Sequence, residues 1–125
     1  MGVESYPLTY EFADKLASAI IKLKLKSASK PQAELFTMLA DIRDYFLWWT
    51  IKCPKEKALE SIMILEKLET YFTGVDEFHA GFFFTLSQLL TLKHQETYLE
   101  PEKEALSEDK WQESFQKTLR RLNID

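Results

Sequence analysis

A chain of 125 residues with 46% apolar and 29% charged side chains has the make-up of one globular domain, not of a disordered segment. Three Gly and four Pro are too few for a turn-rich β protein or for a glycine loop that cradles phosphate. A net charge of −4 lacks the basic excess of a general nucleic-acid binder, and a single Cys excludes an internal disulfide and zinc-ribbon spacings.

Residues 1–6 read as a short arm. They lack a positive n-region followed by an apolar run, so no signal peptide is expected. Pro7, with Ser5 or Tyr6 before it, suits the opening of a first helix over about 8–28, whose face is Leu8, Phe12, Leu16, Ile20 and Leu23. Ile21 to Lys26 alternates with period two and also fits a half-buried strand. Helix is the better reading, because no other segment alternates and a lone strand has nothing to pair with.

Pro31 opens a second helix over 31–52, and Cys53-Pro54 closes it. Leu35, Leu39, Ile42, Phe46, Trp49 and Cys53 hold one stripe of this helix. Phe36, Ala40 and Leu47 widen the stripe on one flank, and Met38, Tyr45 and Trp48 on the other. A helix so apolar is surrounded by partners. The third helix, 54–73, has Ala58, Leu59, Ile62, Leu65, Leu68 and Phe72 as its apolar positions, and Gly74 as its left-handed cap. Asp76 is the N-cap of a fourth, 76–97, with Val75 folding back on Ala80 as a staple. Its expected inner face is Phe78, Phe82, Leu86, Leu89 and Leu90, and Gly81 is expected to mark a close helix crossing. After an acidic connector containing Pro101, Ser107 caps a fifth helix over 107–122 with a stripe of Trp111, Phe115, Leu119 and Leu122. Short links make consecutive helices antiparallel. The expected fold is all-α: a single helical domain over 1–125, an antiparallel up-down-up-down four-helix bundle with an additional C-terminal amphipathic helix.

The chemistry-bearing residues are sparse. Asp76 and His79 stand three apart, the spacing of a helical ligand pair, but the inner stripe of the second helix carries no carboxylate to complete a site. A capping Asp beside a surface His is the expectation, and His94 reads as a solvated His at a helix end. Cys53 sits on the apolar stripe and reads as an inert core thiol. No catalytic residue, metal site or cofactor is expected.

Function is therefore expected to lie in contact. Tyr45 and Trp48 on one flank of the second helix, with Trp111 and Phe115 of the fifth, are the candidates for protein interaction. The fifth helix is expected to dock on its own bundle near Tyr45 or Trp48, on a surface that a partner contests. Lys22, Lys24, Lys26 and Lys30, with Arg120 and Arg121, form a secondary charged set, placed at helix C-termini where the dipole favours cations. The expectation is a cytoplasmic, non-enzymatic module (adaptor, inhibitor or immunity-type protein) that binds another protein or a second copy of the chain, without nucleic acid or a membrane span. The alternative is a binder of an apolar small molecule in a pocket between the second and fourth helices.

Overall fold

The computed structural model describes residues 6–30, 32–94 and 108–124, with the backbone alone for 108–111. Five helices follow in order: α1 (Tyr10–Ser29), α2 (Ala33–Lys52), α3 (Lys55–Phe72), α4 (Glu77–His94) and α5 (Glu108–Arg121). The described residues contain no strand, and the alternating Ile21–Lys26 stretch is helical. Among the described residues it has no second extended segment to pair with, so the helical spacing of Leu16, Ile20 and Leu23 prevails.

Local chemistry sets the helix ends. Thr9, not Pro7, starts α1: its hydroxyl accepts the Phe12 amide at 3.1 Å. Pro54 stands one position earlier than expected, as the N-cap of α3. Asp76 accepts the His79 amide at 3.3 Å, as an N-cap should. Gly74 takes φ +83 after α3, a conformation that costs glycine nothing. Asn123 does the same work after α5, at φ 57, and lets the Ile124 amide reach back to the Leu119 carbonyl at 2.9 Å. The fifth helix's Ser107 cap and the stretch following His94 lie outside the described residues, as does Pro31.

The first four helices form the up-down-up-down bundle, and their main contacts close a ring in the order α1, α2, α4, α3. α2 thus runs beside α4 in the same direction. Lys93, near the end of α4, donates to the carbonyls of Ile51 at 2.6 Å and Cys53 at 3.1 Å, at the end of α2. A cation there also complements the negative end of the helix dipole. α5 packs chiefly on α2. With α1, α4 and α5 all against it, α2 buries Leu39, Ile42, Phe46 and Trp49 and also Met38, Tyr45 and Trp48. The opposite flank is left more open, and Phe36 is 51% exposed.

α4 departs from its expected orientation. Its buried face is His79, Ala80, Phe83, Leu86, Ser87 and Leu90, while Phe82 and Leu89 are only partly buried and Phe78 is exposed. Phe83 meets Phe46 of α2 edge-to-face at 4.9 Å and stacks with Phe72 of α3 at 5.7 Å. Three successive Phe residues make the helix apolar on every side, so hydrophobic periodicity cannot orient it. Two related expectations fail with it. Gly81 faces open space, not a helix crossing, and Val75 is exposed, not stapled to Ala80. Leu59 of α3 also points outward.

Candidate functional site

The aromatic set that sequence marked for recognition is largely interior. Tyr45 and Phe115 are fully buried and stack face to face, with ring centroids 4.9 Å apart and planes 6° from parallel. Phe12 and Tyr6 complete the cluster, edge-on to Tyr45 and Phe115 respectively. The Tyr45 hydroxyl donates to the Tyr6 carbonyl at 2.7 Å, which satisfies the phenol inside the core. Trp48 is buried as well. Tyr45, Trp48 and Phe115 therefore form no open recognition patch, because α5 closes over α2. The Trp111 side chain lies outside the described residues.

Buried polar groups are more numerous than expected from the sequence. Asp41 of α2 is buried and accepts hydrogen bonds from Ser114 at 2.6 Å and Thr118 at 2.9 Å, both on α5. These hydroxyls hold α5 against α2 through a carboxylate that has left water. Burial first, and then the negative charge of Asp41, raises the pKa of the neighbouring Asp44 against the opposing pull of Arg43. Sequence reasoning missed this cluster, although Asp41 falls on the same flank as Met38 and Tyr45.

His79 was expected at the surface and is buried, 1% exposed, because α4 turns its inner face one residue away from Phe78. Its Nδ1 lies 2.7 Å from Asp76 Oδ2 and its Nε2 lies 3.4 Å from Arg43 Nη1. Nδ1–H donating to the carboxylate and Nε2 accepting from the guanidinium assigns a neutral tautomer. Lys24 of α1 approaches Asp76 at 3.4 Å, and the Arg43 guanidinium lies over the Phe78 ring at 5.4 Å. Four charged or titratable side chains thereby tie α1, α2 and α4 together.

Burial lowers the pKa of His79, with Arg43 and Lys24 acting the same way and Asp76 opposing them. Burial also works against the Asp76 carboxylate, but its hydrogen bonds to the His79 ring and amide, helped by Lys24, hold its pKa below the ordinary value. A His with a depressed folded pKa binds fewer protons folded than unfolded. Its contribution is complete above the unfolded pKa of 6.5 and declines as pH falls through that value toward the folded one. The melting temperature should therefore drop between pH 7.5 and 5.5 in the parent and drop less in His79→Gln. Parallel pH profiles for the two proteins would remove His79 as the cause.

The thiol of Cys53 is equally enclosed. It points to Ser61 Oγ at 3.6 Å, and burial pushes its pKa up in spite of Ser61, Lys93 and Lys57. Such a thiol is a poor nucleophile. Trp49 Nε1 donates to the same Ser61 oxygen at 3.0 Å. Among the described residues no three His, Cys, Asp or Glu side chains converge on a metal-sized site, and no helix is long and apolar enough to cross a membrane.

Comparison with protein-family models, curated proteins and solved structures yields no match.

The basic set is divided by the fold. Lys24 turns to Asp76, Lys22 borders a shallow cavity beside the end of α5, and Arg120 is exposed. Lys26, Lys30 and Arg121 come together around a second cavity, where Arg121 pairs with Glu34. Neither cavity lies between α2 and α4, where Phe46 and Phe83 meet.

The exposed apolar side chains are concentrated elsewhere. Of ten large ones among the described residues, seven belong to the α3–α4 hairpin. Tyr71, Val75 and Phe78 sit around its turn. Leu59, Met63, Phe84 and Leu92, between 47% and 60% exposed, lie farther from the turn along the two helices. Counting outward from the turn, Met63 and Phe84 fall at similar heights on the two helices, as do Leu59 and Leu92. Glu60, Glu66, Lys67 and Gln88 are exposed on the same two helices and supply polar neighbours.

Proposed function

We propose that the protein is a non-enzymatic interaction module, of the adaptor, inhibitor or immunity type, that binds another protein through the outer face of the α3–α4 hairpin. The observation that carries this reading is the concentration of exposed apolar side chains on that hairpin. An apolar centre containing Met and Phe with a polar rim has the composition of a protein interface. The buried Tyr45–Phe115 stack becomes the support that fixes α5 on α2, and the interaction surface moves from the second helix to the third and fourth.

Met63→Asp with Phe84→Asp tests the reading. Both side chains are about half exposed, so the fold should persist with a loss of less than about 1 kcal/mol. Affinity capture with the parent protein should recover a defined partner that the double variant loses and that Lys26→Gln with Lys30→Gln retains. Sedimentation of the purified chain separates a second copy from a different protein as that partner. Capture that is unchanged in the Met63/Phe84 variant would refute the hairpin surface.

A further inference from the structure

The cavity at the opposite end of α2 from Lys93 is assembled from three helix ends. The last turn of α1 contributes Lys26 and its C-cap Lys30, the first turn of α2 contributes Glu34 and Leu35, and the end of α5 contributes Arg121 and Leu122. Its volume is about 440 Å³, within the usual range for small-molecule pockets. Leu23, Leu35 and Met38, all in the core, form an apolar floor, and Leu122 closes one side.

Charge at its rim runs against the average of an acidic chain. Lys26, Lys30 and Arg121 face one carboxylate, Glu34, which is already paired with Arg121. Lys26 and Lys30 make no ion pair with any described residue. The start of α2 borders the same cavity. Its N-cap Gln32 makes no side-chain cap bond, and Glu34 is the acidic residue of its first turn. The cavity thus brings two lysines, both at the C-terminal end of α1, to the same lining as apolar carbon.

We infer that this cavity binds an amphiphilic monoanion, a carboxylate carried on an unbranched apolar chain of medium length, with its head between Lys26 and Lys30 and its tail toward Leu35, Met38 and Leu122. A free inorganic anion leaves the apolar floor unused, and a neutral alcohol leaves the ammonium groups unused. The acidic net charge disfavours a polyanion at long range but leaves a single charge to be captured locally.

Titration with octanoate, 1-octanol and inorganic phosphate, followed by ¹H–¹⁵N NMR and calorimetry on the full chain, tests this. Octanoate should bind saturably and shift the amides of Gln32, Leu35 and Leu122. Binding should weaken at least about tenfold in Lys26→Gln with Lys30→Gln, since a hydrogen bond to a charged group is worth about that factor. Those lysines are exposed, so the variant keeps the fold, which circular dichroism verifies. Absence of saturable binding overturns the inference. So does equal affinity for 1-octanol, which makes the head irrelevant, or equal affinity for phosphate, which makes the tail irrelevant. An unaffected lysine double variant does the same. None of these results depends on Met63 or Phe84, so the hairpin surface stands or falls separately.

Discussion

Phe115→Ala is expected to lower the free energy of unfolding by about 3–5 kcal/mol, the cost of emptying a fully packed aromatic site. The Phe115 ring is completely buried, stacked on Tyr45 at 4.9 Å and edge-on to Tyr6 at 6.4 Å. Its removal takes away the apolar transfer term, leaves a cavity, and also loses an aromatic pair worth about 0.5–1.5 kcal/mol. The cost is concentrated because Phe115 and Leu119 are the buried apolar residues of α5 among those described, with Ile124 just beyond its end. Phe84→Ala is the control. It truncates a side chain of the same size that is 49% exposed, and it should cost less than about 1 kcal/mol. Denaturant unfolding of both variants gives the comparison. A cost below about 1 kcal/mol for Phe115→Ala would mean that α5 is not docked on the core as described.

The docking of α5 was legible in the sequence. Trp111, Phe115, Leu119 and Leu122 make a stripe too apolar for water, and α2 has a flank of Met38, Tyr45 and Trp48 that four helices alone do not cover. Punctuation was legible for a similar reason, since Cys53-Pro54, Gly74 and Asp76 act through local backbone geometry and need no tertiary partner. Thr9 carries the same kind of signal. It was overlooked because Pro7 offered a rival start two residues earlier.

Orientation of α4 was not legible. A stripe directs a helix only when its other faces are polar, and Phe82, Phe83 and Phe84 point in three directions. The structure resolves the ambiguity with His79, Ala80 and Ser87 on the inner face, residues that hydropathy alone places outside or leaves neutral. The small side chains of Ala80 and Ser87 suit the close packing of α4 on α3. The charged sets behaved differently again. Lys26, Lys30 and Arg121 were each readable as dipole partners at helix ends, but their meeting around one cavity depends on how α5 lies across α1 and α2. Nothing local to either helix encodes that.

Asp41 was missed because one acid on an apolar flank has no period, yet the Ser114–Thr118 spacing on α5 supplies a hydroxyl on two successive turns. That arrangement leads to the other large expected effect. Ser114→Ala with Thr118→Val should destabilise the protein by roughly 3 kcal/mol or more, because a buried carboxylate loses both of its donors. The two side chains contribute little by volume, so packing alone predicts a much smaller loss. Adding Asp41→Leu to the pair replaces carboxylate and hydroxyls together with apolar groups of similar shape. The triple variant should recover most of the stability lost by the double one, since a charge is no longer stranded. The pKa of Asp44 provides a second readout. It is raised by burial and then by the charge on Asp41, so Asp41→Leu should lower it, while the double variant keeps that charge and should not. Losses that merely add from double to triple variant, together with an Asp44 pKa that ignores Asp41, would reduce the cluster to three independent side chains. Recovery in the triple variant would show that the loss in the double variant comes from the stranded charge and that Asp41 adds little net stability of its own, which leaves register as what it can supply: an apolar stripe tolerates a slip along the helix, whereas a carboxylate with two donors in fixed positions does not.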